Sequence, residues 1–322
     1  MSEFIGRSIS FGVAKEATRG TAESLATHWV RHTKADVIPK SKQVVDDTSF
    51  GRIEDADRVR TVQRWNEGSL EGILHADVVG YFFVNLYGSP TTTADGSAYS
   101  HAFILSQSIT HPTLTLFIQD GSVRDVKMPG AVISSLEVTA KTDDYVRYTS
   151  SFIGKQETTT TSTPSTSTEY DFIARDIVVK TASTEAGLSS ATAIKLKTLS
   201  TKWDAKAISD FVFGSTSPDN IYNGAFAITG KFSRNFLDTT FEDMFENDTQ
   251  VYMQIAITGT ADLGGGVNPS LTILLNKVQV TDWQRTGNVN DLVTEEITFK
   301  AFYNSDDSQQ SQVTLVNATT SY

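Results

Sequence analysis

RVRTVQRWNEGSLEGIL (Arg58–Leu74), running into HADVVGYFFVNLYGS (His75–Ser89), reads as a strand that passes directly into a short amphipathic helix over residues 75–88. Side chains alternate across a strand, so residues two apart share a face. Val62, Leu70 and Leu74 fall on one parity, while Thr61, Gln63, Glu67, Ser69 and Glu71 fall on the other. One face therefore packs and the other carries carboxylates into water. Trp65 and Ile73 interrupt the wet parity, and Arg64 the dry one. A charged stretch with few apolar residues, 40–57, precedes the strand, and no reacting group accompanies the pattern. The segment has the make-up of a building block rather than a catalyst.

The 322 residues are 39% hydrophobic, enough for a sizeable core in one large or two smaller domains. A formal net charge of -11 argues against binding nucleic acid by neutralising phosphates, which requires a basic surface. Without cysteine there are no disulfides or thiolate metal sites, and the chain is compatible with a reducing cytosol. The opening MSEFIGRSISFGVAKEATRG lacks a basic start followed by an apolar run, and no stretch approaches the roughly 20 apolar residues of a membrane span. The expectation is a globular protein that is not exported by that route and does not insert into a membrane.

Residues 1–26, rich in Gly, Ser, Ala and Thr with Phe4, Ile5 and Phe11 among them, read as an N-terminal arm. A weak strand from His28 to Ile38 ends at Pro39. The following residues, 40–57, suggest an extended hairpin centred on Asp46–Gly51, whose sizeable apolar residues are Val44, Val45 and Ile53. A hairpin unable to bury its own faces is flexible or packs on another molecule. Short strands follow to residue 157, with a turn at Thr142-Asp143-Asp144, and the Thr/Ser run 158–168 reads as a surface connection between two β halves, 27–157 and 169–322. The second half repeats the recipe of strands with one helix, 238–247, carrying Phe241, Met244 and Phe245 on one side. The fold class is thus mainly β with one or two short helices. At an offset of 162, Gly68, Leu70, Leu74, Val79, Phe82 and Phe83 fall on Gly230, Phe232, Phe236, Phe241, Met244 and Phe245, a hint of a repeated strand and helix.

No nucleotide, cofactor or metal signature stands out. The run Gly264-Gly265-Gly266 precedes a strand, whereas a phosphate cradle needs a helix N-terminus. His28 and His32 lack a third ligand, and no Gly-x-Ser-x-Gly elbow occurs. Acidic pairs such as Asp46 with Asp47, the group Glu54, Asp55 and Asp57, and Glu295 with Glu296 suit solvated turns and faces as well as glycosidase or calcium chemistry. Glu67 and Glu71 stand apart because Gln63 and Ser69 share their wet parity, which fits the wall of a water-filled lumen as well as an ordinary outer face. Trp29, Trp65, Trp203 and Trp283 are candidate platforms for an alternative, a carbohydrate-binding β-sandwich. A β-rich hydrolase using an acidic pair is a third reading.

FGVAKEATRGTAES (11–24), the charged hairpin region, NEGSLEGILHADVVGYFFVNLYGS (66–89), NGAFAITGKFSRNFLDTTFEDMF (223–245) and the closing TLVNATTSY (314–322) together resemble the tail-tube, or major tail, proteins of long-tailed bacteriophages. The resemblance spans nearly the whole chain through patterns of strand, helix and loop. It implies a non-enzymatic virion protein of the tail, assembled in the host cytoplasm: a β-sandwich whose sheets join those of its neighbours into a closed barrel. Its partners would be further copies of itself in stacked rings, hexameric or trimeric if each chain carries two units, with tape-measure and tail-terminator proteins. DNA would transit the channel without specific binding. Glu67 and Glu71 would line the lumen. Contacts between subunits would fall to Val44, Val45, Asp46, Asp47, Phe50, Ile53 and Asp55, and to Phe4, Ile5 and Phe11 of the arm.

Overall fold

The computed structural model describes residues 5–49, 51–121 and 123–322. The chain begins with β1 (Ile9–Lys15), β2 (His28–Val30), β3 (Lys34–Asp46), β4 (Arg58–Ile73) and α1 (Ala76–Tyr87). There follow β5 (Thr91–Asp95), β6 (Ala98–Ile104), β7 (Leu114–Asp120), β8 (Arg124–Lys141), β9 (Arg147–Gly154) and the short β10 (Thr158–Thr159). The second half holds β11 (Ile177–Ala182), β12 (Thr198–Asp204), β13 (Ile208–Asp210), β14 (Asn220–Tyr222), β15 (Ala227–Asn235) and α2 (Thr240–Glu246). It ends with β16 (Gln250–Thr258), β17 (Ser270–Thr286), β18 (Thr294–Ala301) and β19 (Ser311–Asn317).

The expectation of a mainly β chain with two short helices holds, but the strands do not part into two separate sheets. Seventeen share one antiparallel hydrogen-bonded network. The reason is the length of β8 and β17, 18 and 17 residues, which lets each strand serve two sets of partners. Their C-terminal halves belong to a wall in the order β3-β4-β9-β8-β12-β15-β18-β17. Their N-terminal halves pair instead with β7 and β16, which carry β1 and β11 behind the wall. Phe11 of β1 meets Phe152 of β9 across this space, at 6.0 Å between ring centroids.

Helix α1 is buried on every side, not amphipathic, because wall, β6 and β19 enclose it. His75 and Gly88 are its caps, and Gly88 takes φ 103°, a conformation glycine adopts without a Cβ penalty. Asn85, fully buried, donates to the carbonyls of Pro112 (2.8 Å) and Ala131 (3.1 Å) and accepts from the Ile133 amide (2.7 Å), tying the helix to β8. Tyr322 lies against α1 at Gly80, where a Cβ would stand 2.0 Å from the ring. In the second half Phe241 of α2 packs edge-on against Phe232 of β15.

Three expectations require correction. Pro39 does not end a strand: β3 runs through it, tolerated because among the described residues β4 is its one strand partner and no strand pairs along its outer edge. Within the expected arm 1–26, Ile9–Lys15 is not free: β1 lies between β2 and β7, and Phe11, 1% exposed, joins the core. The Thr/Ser run 158–168 is partly fastened: β10 pairs with β8, and Ser162 is buried, accepting from the Ala26 amide and, through its carbonyl, from Gln119.

The two halves are built alike. Gly68 of β4 lies opposite Phe152 and would press a Cβ on that ring and on the Asp36 carbonyl; Gly230 of β15 stands in the same relation to Phe299 and the Ser200 carbonyl. Bulges interrupt β8 at Ser134 and β17 at Thr281, and each bulged hydroxyl donates to a carbonyl of the adjacent strand, Ser151 or Thr298. A second pair of bulges falls between Leu114 and Leu116 and between Val251 and Met253. The strands β1, β3, β4, β7, β8 and β9 thus have counterparts in β11, β12, β15, β16, β17 and β18.

Candidate functional site

Where it backs on the core, the wall has one dry and one wet face. Leu70, Leu136, Val138, Tyr148, Phe152, Trp203, Phe232, Ile297 and Phe299 point into the core. On the other side Glu67, Ser69, Glu71, Thr149, Ser151, Glu137, Thr139, Ser200, Lys202, Thr229, Lys231, Glu296, Thr298, Asp282 and Gln284 are half-buried or exposed. This alternation across eight neighbouring strands places Glu67 and Glu71 on a face that belongs to both halves of the chain. The sequence showed alternation along single strands, β4 above all, but not the shared face, because β9, β8 and the strands of the second half that extend the wall lie far from β4 in the chain.

The carboxylates of this face are individually accompanied. Glu67 accepts from Trp65 Nε1 at 2.8 Å, Glu71 pairs with Lys34 at 3.3 Å, and Glu137 accepts from Ser200 Oγ at 2.7 Å. Hydrogen bonding to Glu71, then its charge, raises the pKa of the fully exposed Lys34. Lys231 faces Glu296 at 3.8 Å. Beneath the face, Arg234 and Trp283 both donate to the buried Glu295, and the Arg234 guanidinium lies 4.5 Å from the centre of the Phe241 ring.

The hairpin of β3 and β4 projects past the core, and this overrides parity at its outer end: Val62 of the dry parity is exposed. Val44, Val45 and Val59 are each about half exposed and Ile53 is wholly so. Asp46 is held by hydrogen bonds from Thr48 and by Arg58 at 3.0 Å, which depress its pKa, the Thr48 hydroxyl foremost. Asp47 and Asp55 are exposed at the tip. Ile5 is 69% exposed. Phe4 and Phe50 lie outside the described residues.

Trp203 is fully buried and donates to Tyr87 Oη at 2.9 Å, and Trp29 is buried against Phe117. Neither can present a ring to a sugar. His28 and His75 both approach the buried carboxylate of Glu169, at 3.1 and 3.4 Å, with Arg31 at 3.5 Å, while His32 only contacts the Val30 carbonyl. Among the described residues no three His, Asp or Glu side chains gather as a metal site.

The fold and its wet face define a mainly β protein built around one long antiparallel sheet, without a gathered catalytic or metal site among the described residues. The phage tail tube protein family matches residues 6–301, and the chain belongs to that family. It is a structural, non-enzymatic component of the virion tail that self-assembles into a tube. Among solved structures, the SPP1 tail tube is similar over 40% of this chain and 74% of its own, at 13% identity and a TM-score of 0.29. No curated protein matches the chain.

One signal was readable but missed. Phe4-Ile5-Gly6-Arg7-Ser8-Ile9 recurs as Phe172-Ile173-Ala174-Arg175-Asp176-Ile177, and in both copies a single 3₁₀ turn leads into the strand.

Proposed function

We propose that the wet face of the eight-stranded wall lines the bore of the tail tube and that DNA passes along it without being bound. The supporting observation is the wet and dry alternation that runs from β3 to β17 wherever the wall backs on the core. A sheet edge left open invites uncontrolled pairing, and closing the wall with neighbouring chains removes both edges. With strands about 4.8 Å apart and tilted by about 40°, three chains give a barrel roughly 50 Å across between backbones, and six give roughly 100 Å. Three chains, carrying six units, suit a channel that guides one duplex.

Lysines on the face are interleaved with carboxylates, and the net charge of -11 surrounds any phosphate with a repulsive field. Few phosphates can exchange their counterions for free cations, so the duplex meets no deep binding well along the bore. The exposed hairpin 40–57 and Ile5 supply contacts between subunits and rings. Tape-measure and tail-terminator proteins follow from the family resemblance as further partners.

Replacing Glu67 and Glu71 by Lys leaves tubes visible by negative-stain microscopy but lowers infectivity at least tenfold. Unaltered infectivity would remove the lumen assignment, and a wild-type protein that forms neither rings nor tubes would remove the tube reading.

A further inference from the structure

Within the chain, the first unit receives the second at two places. β12 pairs with β8 in the register Asp204↔Ser135, Lys202↔Glu137 and Ser200↔Thr139. Just upstream, Phe172 is fully buried, its amide donating to the Leu74 carbonyl at 3.2 Å and its carbonyl accepting from Val146 at 2.9 Å. Ile173 forms a bridge with Tyr145.

The second unit offers the same seat, without an occupant among the described residues. Phe236 donates to the Val293 carbonyl at 3.0 Å, as Leu74 donates to Val146 at 2.8 Å. Val146 is wholly buried, but its counterpart Val293 is 40% exposed, beside Leu292 at 72% and Leu237 at 65%. Beyond its bulge, β17 pairs only with β18, and among the described residues no strand lies along its other edge at Asp282–Thr286. The counterpart of β12 is β3, along whose outer edge no strand lies among the described residues; the Val37 carbonyl there accepts from Arg124 at 3.5 Å. The counterparts of Phe172 and Ile173 are Phe4 and Ile5.

Resting on the ring reading above, we infer that each chain seats β3 and the described residues 5–9 of the next chain on its own second unit, copying the joint between its halves. The copied register sets Lys40 against Asp282, Ile38 against Gln284 and Asp36 against Thr286 of the neighbour. It brings opposite charges together at the first pair, as Lys202 and Glu137 do within the chain. The amide of Ala205 points at Ser134 (2.9 Å), so in the copied ladder Pro39 falls where an amide would face the neighbour. One hydrogen bond is absent there, and the same proline guards the lone edge against wrong partners. The contact is head-to-tail, so it closes rings rather than dimers.

The chain contains no cysteine, so an introduced pair is the only one present. In the copied ladder Ile38 and Gln284 form a pair that does not exchange hydrogen bonds, in which side chains approach most closely. Assembled tubes of Ile38→Cys/Gln284→Cys, oxidised under mild conditions, should run on non-reducing gels as covalent oligomers ending at a closed ring. Ile38→Cys/Arg285→Cys, with the second cysteine on the opposite face, should remain at least tenfold less cross-linked. As a second arm, Ile5→Glu should keep the circular dichroism of the folded monomer yet lose rings in native mass measurement. Tubes in which Ile38 and Gln284 fail to cross-link, or rings that survive Ile5→Glu, would overturn this joint while leaving the tube reading in place. Failure of the unmodified protein to form rings would overturn both.

Discussion

His75 caps a wholly buried helix with Nε2 3.4 Å from Glu169, and burial, outweighing the pull of Glu169 and Asp171, lowers its pKa below the ordinary imidazole value of 6.5. His101, buried beside Tyr322, is lowered for the same reason. A group whose folded pKa is depressed binds its proton more readily in the unfolded chain, so stability is present above pH 6.5 and is lost as the pH falls below it. Asp77, whose pKa burial raises, acts in the opposite sense and in a more acidic range. Thermal unfolding should therefore begin to fall between pH 7.5 and about 5.5, and His75→Gln should shallow that slope without abolishing it. A slope unchanged in the variant would place the acid sensitivity elsewhere. None of this was legible from the sequence, where His75 read as the first residue of the helix 75–88: Glu169 lies far along the chain and only the fold brings it near.

Among elements, the glycines of β4 and β15 carry the most information. Each lies under an aromatic ring of the adjacent strand, Phe152 or Phe299, and against a backbone carbonyl on the other side. A methyl group cannot be accommodated by moving the ring alone, because the Asp36 carbonyl would stand 2.0 Å from the new carbon at position 68. Gly68→Ala should destabilise the chain by about 2–4 kcal/mol and loosen β3 from β4, a change that denaturant titration and amide exchange across β3 can read. Retention of wild-type stability would show that the two strands can slide apart at little cost. The sequence made the strand, the helix and even the coincidence of Gly68 with Gly230 legible, because each follows from local periodicity. It misjudged the surroundings. Pro39 looked like a stop because an unpaired outer edge cannot be seen in one dimension, and α1 looked amphipathic because Asp77 and Asn85 are polar, though both are buried in the fold.

At the scale of the whole molecule, composition and the charged hairpin pointed to a structural protein, and the family match agrees. The wall itself was beyond reach, since its eight strands come from both ends of the chain. The hairpin is the feature by which the halves differ most: β3 and β4 reach well past the core, whereas β12 and β15 are confined to it. Replacing residues 47–57 by a tight Asn-Gly turn between Asp46 and Arg58 should leave the melting temperature of the subunit within about 2 °C, because every described residue of the tip is exposed. Rings should still form but fail to stack into tubes under the electron microscope. Tubes of ordinary length from that variant would remove the hairpin from the contact between rings.

Joining two like units by a covalent thread also alters the kinetics and symmetry of construction. In the proposed ring of three chains, half of the unit-to-unit contacts would be completed when a chain folds, and only the other half would require molecules to meet and surrender their independent tumbling. Each pair of units bears a single projecting hairpin, so in that ring the docking keys would recur at intervals of two units. A layer added above would then find one of three rotational settings instead of six.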